Sequence, residues 1–232
     1  GGRSLRMGKD KTQLPWGQYT LLEQAIRRLR YLTDDILVVE GAFPSRKLQG
    51  ARSVLDRYAG RGPLGGIHAG LLEAKYEAVF ALSCDMPFVT VELASFLLTK
   101  LDGFSAVTPK YGERVEPLCS VYSRECLGVI ETLLQSENNQ VRQIFSKVKT
   151  CYVEEAELQF FGDMNHLFFN LNTPEDWQKA EYIFDVDAKD IPIRTCQCDS
   201  VCEVCLGHAL EIVNSLIDTL QDDLGLNNIH LV

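Results

Sequence analysis

The 232-residue sequence predicts an α/β protein: a three-layer α/β/α domain on a mostly parallel sheet, followed by a cysteine-rich helical extension. Three observations predict it. Short apolar runs alternate with segments of helical period over residues 1–184, the order that yields parallel strands with helices on both faces. Hydrophobic residues make up 46% of the chain and charged ones 24%, enough for a sizeable core and unlike a fibrous or disordered composition. After Phe184 the pattern gives way to a polar, proline-containing linker, a cysteine cluster and a separate amphipathic stretch.

The elements follow in order. Gly1-Gly2-Arg3-Ser4-Leu5-Arg6-Met7-Gly8-Lys9-Asp10-Lys11 is a glycine-rich basic loop. Such a loop ordinarily follows a buried strand, so a short apolar strand is expected ahead of Gly1. Between Tyr19 and Thr33, the residues Leu21, Leu22, Ala25, Ile26, Leu29 and Leu32 recur at helical spacing. Ile36 to Val39 reads as a buried parallel strand. Pro63 to Lys75 opens on a proline suited to a first helical turn and continues as a helix. Ala78 to Leu82 is a second buried strand, ending at Ser83-Cys84-Asp85, and a helix covers Val91 to Leu101. Ser105–Pro109 and Glu116–Tyr122 are strand-like and meet through Tyr111-Gly112-Glu113. Arg124–Leu134 and Val141–Lys147 read as helices and Thr150–Val153 as a strand. Thr173-Pro174-Glu175-Asp176 supplies a cap, a proline and two acids to open a helix running to about Phe184.

Charge narrows the function. Lys and Arg number 23 against 32 Asp and Glu, a formal net charge of -9. That balance argues against nucleic acid or an acidic membrane as partner, since both call for a basic surface. It leaves small phosphorylated ligands open. Residues 1–30 hold seven basic and two acidic side chains, net +5, whereas residues 186–232 hold two basic and eight acidic, net -6. No run approaches the ~18–20 apolar residues of a membrane span, and no secretory signal pattern opens the sequence. Cys84, Cys119, Cys126 and Cys151 are scattered, as in a protein of the reducing cytoplasm.

Several residues could carry chemistry. Glycines in the first loop let backbone N–H groups wrap an anion, and Arg6 and Lys11 could add charge-assisted hydrogen bonds to a polyphosphate. The loop lacks the Gly-Lys-Ser/Thr ending of a Walker A motif, and a solvated basic turn is the plain alternative. Asp85 directly follows an apolar strand, where open sheets place ligands, and could hold Mg²⁺ against phosphate oxygens or simply cap the turn before Pro87. Asp56, ahead of Gly60-Arg61-Gly62-Pro63-Leu64-Gly65-Gly66, could accept from a base or sugar or pair with Arg57 or Arg61. Asn170 and Asn172 alternate, hence share a face, and could bind a polar ligand or cap the next helix. His68 and His166 have no visible partners in the sequence and read as structural.

Taken in order, the first loop, Asp56, Gly62-Pro63-Leu64-Gly65-Gly66, Cys84-Asp85-Met86-Pro87, Gly112-Glu113-Arg114 with Glu116-Pro117, and Asn170-Leu171-Asn172-Thr173-Pro174-Glu175-Asp176 resemble the molybdenum cofactor guanylyltransferases over about residues 1–184. The resemblance implies a Rossmann-like nucleotidyltransferase fold and a Mg²⁺-dependent cytoplasmic enzyme. Its reaction would join GMP from GTP to the phosphate of molybdopterin and release pyrophosphate. Gly1, Gly2 and Lys11 would bind GTP, Asp56 its guanine or ribose, Asp85 the Mg²⁺, and Arg6 the phosphates, with Asn170 and Asn172 facing the pterin. Sister cytidylyltransferases tend to carry alanine where Gly1 stands, which favours GTP. Molybdoenzymes or cofactor-insertion proteins would be the downstream partners. Glu40 departs from the family, which often has Asn there. Two alternatives stay open: cytidylyl or other nucleotidyl transfer to a phosphorylated small molecule, and a non-catalytic protein that delivers cofactor.

The extension, residues 185–232, has no counterpart in that family's short form. Cys196, Cys198, Cys202 and Cys205 have the ligand count for structural Zn²⁺ or an iron–sulfur centre, with unligated thiols or disulfides as alternatives. Leu206, Leu210, Val213, Ile217, Leu220 and Leu224 step as an a/d seam, suited to a second copy in a homodimer or to the chain's own domain.

Overall fold

Local capping, rather than helix propensity alone, sets where the first elements begin. The structure, a computed structural model, describes residues 11–41, 48–58, 60–136 and 140–190. A short 3₁₀ turn over Lys11–Gln13 leads into a small antiparallel pair, β1 (Pro15–Trp16) and β2 (Tyr19–Thr20), turned at Gly17 with φ of 61°. Thr20 then caps α1 (Leu21–Leu29). Its hydroxyl accepts from the Glu23 N–H at 3.2 Å, and the Glu23 carboxylate accepts from the Thr20 N–H at 2.8 Å. This reciprocal pair satisfies two backbone donors that a helix start leaves open. The apolar stripe Leu21, Leu22, Ala25 and Ile26 is buried as its spacing predicts.

β3 (Leu37–Glu40) pairs in parallel with β4 (Arg52–Leu55), and α2 (Pro63–Glu73) follows with Pro63 in its first turn. β5 (Ala78–Leu82) leads through Asp85 to α3 (Val91–Thr99), whose N-cap Thr90 accepts from the Leu93 N–H at 3.2 Å. β6 (Ala106–Tyr111) turns at Gly112 into β7 (Arg114–Val115), and β8 (Cys119–Ser123) returns between β5 and β6. A 3₁₀ turn at Arg124–Cys126 runs into α4 (Leu127–Gln135). β9 (Thr150–Glu154), α5 (Glu155–Leu158), α6 (Met164–Leu167) and α7 (Pro174–Asp190) complete the order.

The sheets correct one expectation. Among the described residues, β3–β4 and β6–β9 are parallel, but β5–β8, β6–β8 and β6–β7 are antiparallel, so the five-stranded sheet is mixed rather than mostly parallel. The cause is local. A parallel crossover needs a dozen or more residues and usually a helix. Here β6 instead turns tightly at Gly112, φ of 54°, into β7, and the chain runs back without a helix to β8. The predicted helix over Val141–Lys147 shrinks to a 3₁₀ turn at Val141–Gln143, with Ile144 and Phe145 buried just beyond it.

The main core lies under α2 and α4. Leu64, Ile67 and Leu71 of α2 meet Ile130, Leu133 and Leu134 of α4 over Ala106 of β6 and Tyr122 of β8. Strand alternation turns Val107 and Val121 to the opposite face, where both are fully buried. Helix α2 packs on β3, β4 and β5 alike, although β3 and β5 do not pair with each other. The chain divides into two compact units, Gly1–Glu181 and Tyr182–Val232, and α7 begins in the first and ends in the second. The predicted cysteine-rich helical extension falls outside the described residues from 191 onward.

Candidate active site

Strand ends define the site. β4 ends immediately before Asp56 and β5 three residues before Asp85, so two carboxylates stand just past the C-terminal ends of two strands, where open α/β sheets bind ligands. Ser83 and Asp85 are two residues apart, and the Ser83 hydroxyl donates to Asp85 Oδ1. The Ser83 N–H donates to the Leu118 carbonyl at 2.9 Å, which ties this strand end to the Glu116-Pro117-Leu118 segment. The Asp85 carbonyl accepts from the Leu171 N–H, also at 2.9 Å.

That last bond joins the segment bearing the two asparagines to the Asp85 main chain. Asn170, Leu171 and Asn172 run through the irregular segment between α6 and α7 rather than through a strand. Leu171 is fully buried, Asn170 half-buried and Asn172 exposed, so the alternation seen in the sequence survives without a sheet partner. The Asn170 side-chain amide donates to the Phe168 carbonyl at 3.1 Å. Helix capping falls to Asp176, whose carboxylate accepts from the Asn172 and Thr173 N–H groups at 3.0 and 2.9 Å, while Thr173 Oγ1 accepts from the Asp176 N–H. These bonds hold the Asp176 carboxyl below its ordinary range despite some desolvation. Neither Asn side chain is the cap.

Asp56 is 8% exposed. Its Oδ1 accepts from the Tyr58 N–H at 2.8 Å, and its own N–H donates to the Glu40 carbonyl at 2.9 Å. A Cβ on Gly65 would lie 2.5 Å from Asp56 Oδ1, so only glycine lets the carboxylate rest against the first turn of α2. Gly62 precedes that turn with φ of 64°, a backbone conformation that L side chains rarely adopt. The expected ion pairs of Asp56 do not form: Arg57 pairs with Glu73 at 2.9 Å, and Arg61 Nη1 donates to the Ser136 carbonyl at 3.2 Å.

The β6–β7 turn supplies a second wall. Tyr111 donates to Glu116 Oε1 at 2.7 Å and stacks on Phe168, ring centroids 5.1 Å apart and 6° from parallel. Burial pushes the Tyr111 hydroxyl up to about 12, with the bond to Glu116 adding to it, and burial raises the Glu116 carboxyl as well.

Lys11 opens the first 3₁₀ turn, while Gly1, Gly2 and Arg6 lie outside the described residues, as do Cys196, Cys198, Cys202 and Cys205. Asp56, Asp85, Asn170 and Asn172 are all described, and Asp85 adjoins the Asn170–Asn172 segment. His68 is buried between helices, its Nε2 3.4 Å from Glu131 Oε1 and its ring edge-on to Tyr58, a structural setting. Ser83 carries no signal of its own in the sequence; it lies just past the end of β5 and reaches Asp85 across the turn that follows. Among the described residues no three His, Cys, Asp or Glu side chains converge as a metal cage, and no helix is long and apolar enough to cross a membrane. Asp85 and Ser83 do place two oxygen donors side by side, a partial set suited to Mg²⁺, which keeps several waters and binds through one or two carboxylates plus substrate phosphates.

Carboxylates just past β4 and β5 and a glycine-dependent start to α2 suit an α/β protein that binds its ligand at strand ends. The family model described as a MobA-like NTP transferase domain matches residues 1–151, and the chain belongs to that family. It is 35% identical over 180 residues to a probable molybdenum cofactor guanylyltransferase from Pelotomaculum thermopropionicum, covering 78% of this chain and 88% of that protein. In structure it resembles molybdopterin-guanine dinucleotide biosynthesis protein A from Archaeoglobus fulgidus, with a TM-score of 0.68, 24% identity, and coverage of 80% of this chain and 96% of that one. One further match is short. Over 58 residues, 25% of this chain, the sequence is 95% identical to the DNA primase small subunit of Methanobrevibacter smithii, of which it spans only 18%.

Proposed function

We propose that the chain transfers GMP from GTP to the phosphate of molybdopterin and releases pyrophosphate. The observation that carries this reading is the Leu171 N–H bond to the Asp85 main-chain carbonyl, which joins the segment bearing Asn170 and Asn172 to the turn that bears the Asp85 carboxylate. One side of the site then suits a divalent cation and a triphosphate, and the other suits a polar, multi-acceptor heterocycle. The relatives named as guanylyltransferases support the same reaction, and they support GTP over CTP.

The chemistry asks little acid–base work of the protein. The acceptor phosphate is already an anion, so an oxygen of it attacks the α-phosphorus while the bond to pyrophosphate breaks in line. Asp56 would orient the guanine or ribose from beneath, with Gly65 leaving it room. Asn170 and Asn172 would donate to the pterin. Asp85, steadied by Ser83, would hold Mg²⁺, which when bound neutralises charge on the phosphates. Lys11 and Arg6, with the amides of Gly1 and Gly2, would offset repulsion between the two anionic substrates. The compartment we assign is the cytoplasm, in keeping with free thiols at Cys84, Cys119, Cys126 and Cys151, and the acceptors of the product would be molybdoenzymes or cofactor-insertion proteins.

Pyrophosphate release by the full chain, measured with molybdopterin, Mg²⁺ and each of GTP, CTP and ATP, tests the reading. Release with GTP alone is expected. Preference for CTP would move the enzyme to the cytidylyl branch, and no release with any nucleotide would favour a cofactor-delivery protein.

We propose a second reading for the cluster Cys196-x-Cys198-x3-Cys202-x2-Cys205, which rests on its spacing and lies beyond residues 1–151 matched by the family model. Four thiolates there would bind Zn²⁺ or an iron–sulfur centre. Metal analysis of the freshly purified chain beside a Cys202→Ser, Cys205→Ser variant tests this; finding no metal in the parent protein removes it.

A further inference from the structure

Arg28 sits in the last turn of α1, in the basic run Arg27-Arg28-Leu29-Arg30. A surface run of this kind usually points its cations to water, and Arg28 does not. The residue as a whole is half-buried, but its guanidinium lies deep, and desolvation lowers its pKa to about 10. Among the described residues no carboxylate pairs with it. One nitrogen, Nη1, donates to two carbonyls fifty-nine and sixty-one residues away: Pro87 O at 2.5 Å and Val89 O at 2.9 Å.

Those carbonyls belong to the link between β5 and α3 that carries Asp85. The same link is fixed at other points: the Met86 N–H donates to the Ser83 carbonyl at 3.2 Å, and Thr90 caps α3. Leu171 reaches the Asp85 carbonyl from the other side. Beneath, Phe88 packs edge-on against Trp16 and Phe169, and Trp16 against Trp177. Pro87 has no N–H of its own, so the Arg28 bond to its carbonyl is a main polar tie for that residue. A buried cation without a counter-ion is costly to keep. A hydrocarbon here would leave two carbonyls without their donor, but it would remove that cost. The arrangement is suited to holding a loop still rather than to maximising stability.

We propose that Arg28 is a positioning residue for nucleotidyl transfer: by gripping Pro87 and Val89 it fixes the loop that sets the Asp85 carboxylate. The proposal rests on the reading that Asp85 holds the divalent cation, and it goes beyond it by assigning the orientation of that carboxylate to a helix on the far side of the loop. Metal ligands owe affinity to the groups that orient them, and loss of such a group costs about 10–100-fold.

The test compares Arg28→Met, Arg28→Lys and Asp85→Asn in the full chain. Pyrophosphate release with GTP and molybdopterin is followed as a function of Mg²⁺ concentration, alongside thermal midpoints. Arg28→Met is expected to raise the Mg²⁺ concentration for half-maximal rate about tenfold and lower kcat, with the KM for molybdopterin little changed. Arg28→Lys, which keeps one donor and the charge, is expected to recover part of the loss and serves as the folded comparison if the methionine variant does not fold. A folded Arg28→Met with wild-type Mg²⁺ dependence, or an Arg28→Lys indistinguishable from wild type where the methionine variant fails to fold, overturns the proposal. Asp85→Asn separates the two levels. If it leaves Mg²⁺ dependence unchanged, the reading of Asp85 fails; if it shifts the dependence while the Arg28 variants do not, only the role of Arg28 fails.

Discussion

The two ends of the strands treat their carboxylates differently. At the N-terminal ends, Asp34 and Asp35 just before β3 are taken up by internal partners. Lys75 Nζ donates to Asp34 at 2.7 Å and Tyr76 at 2.5 Å, while Arg52 Nε donates to Asp35 at 2.8 Å and the Lys75 N–H at 2.7 Å. Both carboxyls sit below their ordinary range, chiefly through these hydrogen bonds. Arg52 also donates to the Glu73 carbonyl at the end of α2. At the C-terminal ends, Asp56 and Asp85 are held by an uncharged backbone N–H and a hydroxyl. The first arrangement spends charge on holding loops together. The second sets a carboxylate's position through a backbone N–H or a hydroxyl.

Substitutions can break or sharpen that contrast. The largest effect is expected from Asp85→Asn: turnover should fall about 100-fold, with the thermal midpoint unchanged or raised, as steady-state kinetics and calorimetry would show. A fall in stability instead would place Asp85 with Asp34 and Asp35. Gly65→Ala should raise the KM for GTP about tenfold, the equivalent of one lost hydrogen bond to a charged group, because its methyl displaces the Asp56 carboxylate. Nucleotide titration of the folded variant checks this.

Asp35→Asn should leave kinetics alone and cost about 1 kcal/mol of stability at neutral pH. The Asp35 carboxyl is depressed in the fold, so its contribution is present above the unfolded-state pKa and is lost as pH falls through the lower folded value. Denaturant titrations should therefore find the variant and wild type converging in acid. Glu116→Gln should have the smallest effect, with the opposite sign. Burial raises the Glu116 carboxyl, so ionisation costs stability as pH rises through its folded pKa. The amide can still accept from Tyr111, and the variant should gain slightly at neutral pH and lose that advantage in acid.

Much of this was legible in the sequence where short-range rules decide. The α1 stripe, the proline start of α2 and the strand before Asp85 follow from spacing and capping residues alone. β4 was missed because four residues, Arg52–Leu55, offer too little alternation to stand out. The antiparallel return of β8 had a visible sign, the absence of any helix between two strand-like runs, which alternation of elements elsewhere outweighed. Asn170 and Asn172 read as alternate positions of a strand, whereas they lie in an irregular segment whose tie to Asp85 through Leu171 is a long-range contact. Arg28 had a faint signal too. It lies seven residues after Leu21 and three after Ala25, on the flank of the buried stripe, where a solvated cation has no place.

Among the described residues, α2 packs on both the β3–β4 pair and β5, and no strand pairing joins β3 to β5. Ladders that share no strand pairing can open as separate cooperative units. The β3–β4 amides should then exchange with solvent at a lower free energy than those of β5 and β8. Because Asp56 follows directly from β4, a nucleotide that engages it would act as a clasp on the looser unit, slowing exchange there more than in the sheet that bears Asp85.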